Sequence, residues 1–543
     1  MNRTLDMPSP APVVEANGPR SRARRVLVGV ARALGALLLS TGIFIGCLWL
    51  YTRYNTFPAS YHPDEPGKVT QVLSERGYRN FNHPQLLLEA TLLLMRYVDP
   101  QGDAHTTVVI GRYASALTAA VGVWALAWVG FGAKGLGGMA LMGAAVGLCP
   151  ALLAVSHFMK EDAPLLGGLA MTVAGSYFYA RANGAGWVKV LCAVLFGTGV
   201  AFACSGKYVG MIALLPAVGV LLVCSRRQWV IPSTVAFVLS LGAAYATINH
   251  RAIENLQGFL AGFEREKEHS VTDHAGLTMS RPNTFFISAT LEEAAPVVQW
   301  LAAGSVVTFV LSYRRRGVWD LIMPFGLPML FLVGLSWSVI AFNRYALPVV
   351  LGLNVLAAWG VVWLADALPA NRARWGPWVV WCGAAVLVAV QLPRCLTYLD
   401  QFAFDSRDEA RNWIGANLPR SAYVVADEYA RVDTDGTRLG EPRARRVAMR
   451  VQSRFFVCDT GPLEQLRSNG VTHVVVCSSA FDRFFIPEVR AVDGNVNTLI
   501  RRRLWYERLF QEGELVWRST NRLPMNSVPA NPDVRVYRIA PVR

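Results

Sequence analysis

The residues best suited to chemistry stand in one short stretch, YHPDEPGK at positions 61–68, directly after a long apolar run. Its side chains include the imidazole of His62, the adjacent carboxylates of Asp64 and Glu65, and the ammonium group of Lys68. A carboxylate can take the proton of an attacking hydroxyl or help to hold a divalent cation. An ammonium group can stabilise phosphate charge. Ionisable groups beside hydrocarbon are costly, so this cluster predicts a functional site.

Other apolar stretches are interrupted by ionisable residues in the same way. The further candidates are His83, then His157, Lys160, Glu161 and Asp162 in SHFMKED, Lys207 in CSGKY, His269, Asp273, His274 and Arg281 in one polar loop, and Arg344 in FNRYALP. The histidines match no compact spacing of metal ligands, so the sequence does not favour a dedicated zinc site.

Several of these candidates also have a structural interpretation. Asp64 and Asp162 stand where helix N-caps are expected, and a cap needs only a side-chain oxygen. Lys160 and Lys207 can extend from an apolar region towards water. Arg344 can anchor a helix at a membrane interface. The sequence leaves both interpretations open for these five residues.

The composition indicates the class of protein. Of the 543 residues, 53% are hydrophobic and only 16% are charged, and the mean hydropathy is +0.32. These values are typical of a polytopic α-helical membrane protein. A span needs roughly 18 apolar residues or more to cross about 30 Å of hydrocarbon. Eleven such segments are predicted: 27–51, 107–132, 135–156, 163–180, 187–205, 207–224, 229–248, 295–312, 318–340, 345–365 and 375–393.

Basic residues orient a membrane protein because short loops rich in lysine and arginine stay in the cytoplasm. If the amino end is inside, every second loop is basic. Those loops carry Lys134, Arg181, Arg226 with Arg227, Arg314 to Arg316, and Arg372 with Arg374. The alternate loops, including 52–106 and 249–294, are therefore predicted to face outward, together with the tail that begins at residue 394. Part of the net charge of +15 is this orientation signal, so the charge does not call for a nucleic-acid partner.

These patterns divide the chain into three regions. Residues 1–26 are predicted to form a disordered cytoplasmic end. Residues 27–393 are predicted to form the transmembrane domain. Residues 394–543, which have many charges and alternating polar and apolar positions, are predicted to form a small outward-facing α/β domain.

Local structure is predicted within the two largest outward regions. In loop 52–106, interfacial helices are expected over about 65–76 and from Pro84 onward. In the tail, the helical pattern DEARNWIGANLP precedes two short buried strands, AYVVADEY and THVVVCSS. Cys458 and Cys477 could pair in an oxidising compartment or stay as free thiols.

The motifs resemble those of a known family. The acidic pair in HPDE, a helix opening with NHPQLL, and the stretches SHFMKEDAPLL, FACSGKYVGMIALLP, FNRYALPVV and DSRDEARNWIGANLP look like those of the polyprenyl-phosphate-sugar-dependent glycosyltransferases of the C superfamily. The pattern is most similar to the protein O-mannosyltransferase and lipid A aminoarabinose transferase group. The resemblance covers most of residues 27–543. The family often has HPPL where this chain has HPQL at 83–86.

The resemblance implies a role for each candidate. Asp64 would activate the acceptor or help to hold a divalent metal ion, with Glu65 beside it, and Asp162 would form a second acidic site near the donor phosphate. The residues expected at that phosphate are Lys160, Lys207, Arg344 and Tyr345, and the additional site candidates are His62, His83, His157 and His274.

The function expected from these features is transfer of a sugar from a polyprenyl-phosphate donor to an acceptor hydroxyl at the outer face of the membrane. A single displacement with one base predicts inversion at the anomeric carbon. The acceptor would be a lipid, a glycan or a protein. The expected location is the bacterial inner membrane, with the tail outside the cytoplasm.

Two other classes of function stay open. A multi-pass transporter or lipid flippase would place ionisable groups near the membrane midplane and often has repeated halves, and the sequence shows neither feature. A non-catalytic membrane scaffold with an outward binding domain would leave HPDE and MKED without a purpose.

The predicted orientation can be tested by labelling from the outer side. A cysteine introduced at position 435 should react with an impermeant maleimide and one at position 315 should not, because the tail and the arginine-rich loop are predicted on opposite faces. Labelling at 315 and protection at 435 would invert the topology and remove every site assignment above.

Overall fold

The computed structural model describes residues 19–56, 62–74, 77–182, 186–225, 227–271, 277–312, 317–338, 340, 342–432, 449–492, 495–520 and 530–539. Residues 1–18 of the predicted disordered end lie outside the described residues. Residues 19–26 differ from that prediction, because they already belong to the first helix. The helix of the apolar span that follows therefore begins within this Arg-rich segment.

Helices make up most of the described part of residues 19–400. They are α1 (Pro19–Thr52), α2 (Glu65–Val72), α3 (Leu86–Val98), α4 (Ala104–Gly147), α5 (Pro150–Ser156), α6 (Asp162–Arg181), α7 (Gly186–Gly206), α8 (Leu214–Val223), α9 (Arg227–Ile248), α10 (His250–Glu254), α11 (Leu256–Val271), α12 (Pro282–Glu293), α13 (Pro296–Ser312), α14 (Val318–Leu321), α15 (Leu327–Leu335), α16 (Leu347–Ala367) and α17 (Gly376–Asp400). The two interfacial helices predicted in the first outer loop correspond to α2 and α3, although α2 ends before residue 76.

Several helices are long and apolar enough to span a membrane, so the chain is a multi-pass membrane protein. Among the described residues, seven helices meet that criterion, and an eighth span results if α12 and α13, which are bent by 114°, are counted together. Each of the eleven predicted segments overlaps a helix, but the count of eleven is not confirmed. The main core lies between these helices, where the rings of Tyr177, Trp319 and Trp359 pack against one another.

The helix α4 contains the predicted span 107–132 and the first part of the span 135–156. Its 44 residues would extend about 66 Å if straight, twice the thickness of the hydrocarbon. The helical dihedral angles are lost at Lys134 and Gly135, and Gly135 has φ +60°, a conformation that glycine adopts without strain. Beyond this turn the chain runs back so closely that a Cβ atom on Gly130 would overlap the carbonyl oxygen of Gly138. Glycines therefore allow the two halves of α4 to pack as a tight hairpin.

The tail contains a five-stranded sheet covered by helices. Its strands are β2 (Tyr423–Asp427), β3 (Arg450–Arg454), β4 (His473–Cys477), β6 (Glu514–Arg518) and β7 (Val534–Arg538), and its helices are α18 (Ser406–Asn417), α19 (Leu463–Ser468), α20 (Ser478–Phe481) and α21 (Val496–Glu512). The strand order is β3-β2-β4-β7-β6, with β2 parallel to β3 and β4 and with β7 antiparallel to its neighbours. The two strands predicted from sequence coincide with β2 and β4. Cys458 and Cys477 are both buried free thiols.

A second, two-stranded sheet connects the tail to the segment 249–294. The strand β1 (Leu277–Met279) follows α11 and pairs antiparallel with β5 (Val489–Ala491) of the tail. The side chain of Leu277 belongs to the apolar core of the tail. The polar loop and the tail therefore share one hydrogen-bonded structure.

Candidate active site

Two helix starts bring the acidic residues together. The helix α2 begins directly after Asp64, and α6 begins at Asp162. Asp64 and Glu161 occupy the N-cap positions, but neither side chain accepts a cap hydrogen bond. Oδ2 of Asp64 contacts Nζ of Lys160 instead, and Asp162 is paired with Lys207. The geometry therefore does not support the interpretation of these aspartates as simple helix caps.

Glu65 forms a buried ion pair with Arg112 of α4. Nε and Nη2 of Arg112 donate to the two carboxylate oxygens of Glu65, each at 2.9 Å. Nη1 of Arg112 donates to the carbonyl oxygen of Asn55 at 3.0 Å, and the backbone N–H of Met159 donates to Oε1 of Glu65 at 3.1 Å. Both residues are fully buried. This pair fixes α2 against α4 and against the segment before α6, so the contacts of Glu65 are those of a positioning residue.

A row of alternating charges runs from Asp64 into the protein. Lys160 contacts Asp64 and also lies 3.5 Å from Oε2 of Glu161, whose Oε1 contacts Nζ of Lys68. Burial alone would raise the pKa of Asp64, but the neighbouring charges of Lys160 and Lys68 lower it well below its usual range. Burial alone would lower the pKa of Lys160, but the carboxylates of Asp64 and Glu161 raise it. Both partners of this pair therefore stay charged.

A second group of charges surrounds Asp162. Nζ of Lys207 donates to Oδ1 of Asp162 at 2.7 Å, and Nε of Arg344 lies 4.0 Å from Oδ2. Nζ of Lys207 also lies 4.4 Å from the centre of the Tyr345 ring, a cation–π contact. Two cations and one carboxylate leave an excess of positive charge here, which suits an anionic ligand.

The imidazole of His62 connects the two groups of charges. Nη1 of Arg344 donates to its Nε2 at 2.8 Å, and its Nδ1 lies 3.7 Å from Oδ2 of Asp64. Because arginine only donates, Nε2 is the acceptor and the proton of the neutral ring is on Nδ1, facing Asp64. Burial keeps the pKa of His62 well below its usual value. His62 therefore orients Arg344 and Asp64 relative to each other without adding charge.

A cavity of about 300 Å³ opens beside these groups. Its polar lining residues include His83, Asp162, Lys207, Glu266, Arg344 and Tyr345. Its apolar lining residues include Leu165, Phe263, Phe331, Leu335, Trp337 and Leu347. The cavity thus combines a cationic region with an extensive hydrophobic wall.

The structure brings most of the predicted residues together. Asp64 contacts Lys160 and lies near His62, which accepts a hydrogen bond from Arg344 at the cavity wall, and Lys207 and Tyr345 also line the cavity. His157 lies elsewhere, stacked on Phe402 with ring centres 4.0 Å apart and both nitrogens near backbone carbonyls. Its contacts are therefore those of a packing residue. His274, with Asp273, lies outside the described residues.

Sequence analysis missed two residues of this region. Arg112 interrupts the apolar stretch VVIGRYASAL, and a charge within a predicted span is a signal that could have identified it. Glu266 lies in the charged segment FEREKEH, where nothing distinguishes it from its neighbours.

The candidate residues do not form a compact metal site. Within the part of the chain that the structure describes, no three residues among His, Cys, Asp and Glu are grouped closely enough to hold a metal ion. Asp64 and Asp162 are each paired with a lysine instead. The arrangement of the described candidate residues therefore does not fit a bound metal ion.

Solved structures with a similar fold identify the architecture. The chain is similar to ArnT from Cupriavidus metallidurans bound to undecaprenyl phosphate, with a TM-score of 0.52, 14% identity, and coverage of 93% of this chain and 98% of that one. The fold is that of the C-type glycosyltransferases. ArnT in the apo state gives a TM-score of 0.51 with the same identity and coverage. The oligosaccharyltransferase AglB from Archaeoglobus fulgidus, in complex with an inhibitory peptide and a dolichol-phosphate, gives 0.49 at 10% identity, covering 82% of this chain and 70% of that one. No protein-family model and no curated protein matches the sequence.

The Glu65–Arg112 pair gives a testable prediction. Glu65→Gln should destabilise the protein by about 3 to 5 kcal/mol, because it leaves Arg112 charged and buried without its partner. The double variant Glu65→Gln with Arg112→Met should recover much of that loss. The measurement is thermal unfolding in detergent, with the exposed pair Arg503–Glu507 as control, where Glu507→Gln should cost under about 1 kcal/mol. A variant Glu65→Gln of normal stability that has lost activity would contradict the positioning role.

Proposed function

We propose that the protein is a membrane glycosyltransferase that moves a sugar from a polyprenyl-phosphate donor to an acceptor hydroxyl. One observation carries this proposal: a single cavity joins the cations of Lys207 and Arg344 to a long apolar wall. A polyprenyl phosphate has the same two parts, an anionic head and an insoluble hydrocarbon tail. The shared fold of ArnT, which binds undecaprenyl phosphate in its solved structure, supports the same ligand class.

The cations would act on the leaving phosphate. When the bond between the sugar and the phosphate breaks, negative charge develops on the phosphate oxygen. Fixed cations such as Lys207 and Arg344 stabilise that charge without having to reorganise. Tyr345 and Asp162 hold Lys207 in place through the cation–π contact and the 2.7 Å hydrogen bond. Lys160, at the other end of the charged group, would extend the same positive region.

Asp64 would support the donor side of this site. The resemblance gave it the role of acceptor-activating carboxylate or metal ligand. A carboxylate whose pKa is lowered by an adjacent ammonium group is a weak base. We therefore assign Asp64 to keeping Lys160 charged and in position. Attack by the acceptor in one step would invert the anomeric carbon.

The location follows from the orientation predicted from the basic loops. The cavity and the tail would face the outside of the cytoplasm, as expected for the inner membrane of a bacterium, and the acceptor would be a lipid, a glycan or a protein. The tail strand β5 pairs with β1, the strand that follows α11 in the chain, and residues of α11 line the cavity. This contact supports a role for the tail in choosing the acceptor.

Binding of the lipid phosphate tests the proposed donor. Lys207→Met should weaken binding of undecaprenyl phosphate about ten- to a hundredfold, because a charge-assisted hydrogen bond is lost. Lys207→Arg should retain part of the affinity. Binding can be measured by native mass spectrometry of the purified protein. Lys134→Met, which breaks an ion pair with Asp366 at a different surface, is the matched control and should bind normally. Equal affinities for Lys207→Met and wild type would reject this phosphate site.

Turnover tests the role of Asp64. Asp64→Asn preserves the shape of the side chain and its ability to cap a helix, but it removes the charge next to Lys160. Transfer of labelled sugar in membranes should fall on the order of 10² to 10³-fold. Turnover by Asp162→Asn should also fall, because that substitution removes the charge next to Lys207. Protein abundance is checked in parallel, and near-normal turnover by Asp64→Asn would contradict the role assigned to Asp64.

A further inference from the structure

We propose that Glu266 takes the proton from the acceptor hydroxyl, a role that rests on the proposed glycosyl transfer and that nothing in the sequence motifs assigns. Glu266 lies on α11 and lines the same cavity as Lys207, Arg344 and Tyr345. Its side chain is 21% exposed, and Oε1 lies 4.0 Å from Nδ1 of His83. The inference rests on how the carboxylates around this cavity are paired.

Four other carboxylates of the described region, of which Asp162 lines the cavity, are each paired with the side chain of a lysine or an arginine. The pairs are Asp64 with Lys160, Glu65 with Arg112, Glu161 with Lys68, and Asp162 with Lys207. A carboxylate that is bound to an ammonium or guanidinium group holds an added proton weakly and is a poor base. These four are therefore suited to positioning cations, and not to accepting a proton from a hydroxyl.

Glu266 differs from these four carboxylates. Within the described residues, the one basic side chain within ion-pair distance is the imidazole of His83, whose pKa is lowered to about 3 by burial, so the ring is neutral. Burial also raises the pKa of Glu266, partly offset by the charges of Lys207 and Lys160. A carboxylate with a raised pKa is a better general base near neutral pH. Glu266 also lines the same cavity as Lys207 and Arg344, which are proposed to bind the donor phosphate.

The position of Glu266 is defined by the packing of α11. Gly262 lies against the backbone of Phe81, where a Cβ atom would come within 2.7 Å of the carbonyl oxygen. The rings of Phe263 and Tyr208 meet edge to face with centres 5.1 Å apart, and the hydroxyl of Tyr208 donates to the carbonyl oxygen of Phe81 at 2.8 Å. These contacts hold the helix, and with it Glu266, at the wall of the cavity.

The proposed step is balanced as follows. The acceptor oxygen forms a bond to the anomeric carbon, and the bond from that carbon to the phosphate oxygen breaks with its electron pair staying on the phosphate. The proton of the acceptor hydroxyl passes to the carboxylate of Glu266. Lys207 and Arg344 stabilise the released polyprenyl phosphate.

The test compares two glutamates on one helix. Glu266→Ala should lower sugar transfer on the order of 10² to 10⁴-fold, the usual contribution of a general base. Glu264→Ala, two residues earlier, removes an exposed carboxylate paired with Lys267 and should stay within about twofold of wild type. Both should bind undecaprenyl phosphate as wild type does. The full-length variants are expressed in cells of the source organism from which the native gene has been deleted. Their membranes are assayed with labelled undecaprenyl-phosphate monosaccharides as donors. If the alanine variant is poorly expressed, Glu266→Gln, which keeps the shape of the side chain, is used in its place.

Azide separates a lost base from a damaged site. The azide anion attacks without needing deprotonation, so it should restore release of polyprenyl phosphate from Glu266→Ala, with a glycosyl azide as product. It should not rescue Asp64→Asn, whose defect is in stabilising the leaving phosphate.

Three results would overturn the assignment of Glu266. These are near-normal transfer by Glu266→Ala, a loss that azide does not rescue, or azide rescue of Asp64→Asn in place of Glu266→Ala, which would make Asp64 the base. Failure of the wild type to transfer sugar from any donor would instead reject the proposed function, and this inference with it.

Discussion

The arrangement of this site depends on a simple constraint: a charge taken out of water needs an opposite charge beside it. Glu65 and Arg112 meet this constraint completely, with two hydrogen bonds between them and no exposure to solvent. Their pairing fixes the start of α2 relative to α4. Asp64, the residue before Glu65, is thereby placed within reach of Lys160, although the two are 96 positions apart in the sequence.

The same constraint separates the charged residues into different tasks. A carboxylate that satisfies a lysine keeps that lysine charged and in place, which is useful where a phosphate must be bound. It is correspondingly less able to accept a proton. Glu266 lies beside a neutral imidazole and is not paired with a lysine or an arginine within the described residues. Donor binding would then depend on carboxylates that are paired with cations. Acceptor activation would depend on Glu266, which lies beside a neutral imidazole.

Sequence analysis was most successful where one strong physical effect decides the outcome. Hydrophobic length located the helices, and the order of short motifs led to the fold confirmed by ArnT. The predicted break between two spans at Lys134 matches the turn within α4. The count of eleven spans is not confirmed, because among the described residues only seven helices, or eight spans with the bent pair, are long and apolar enough. Glu65 and Asp64 are adjacent and look equivalent in HPDE. Only the position of Arg112, which depends on tertiary structure, tells the buried residue from the one at the site.

The tight hairpin within α4 also has a consequence for how the protein is made. Two apolar halves joined by a turn at Lys134 and Gly135 would enter the bilayer together, as one unit, while later helices are still being synthesised. Their close approach at Gly130 and Gly138 leaves no room for a larger side chain. Arg112 lies on the first half of this hairpin, so the partner of Glu65 would already be in the membrane before α6 and its charged residues are complete. Bulky substitutions at these glycines would therefore act at the stage of membrane insertion, upstream of any effect on turnover.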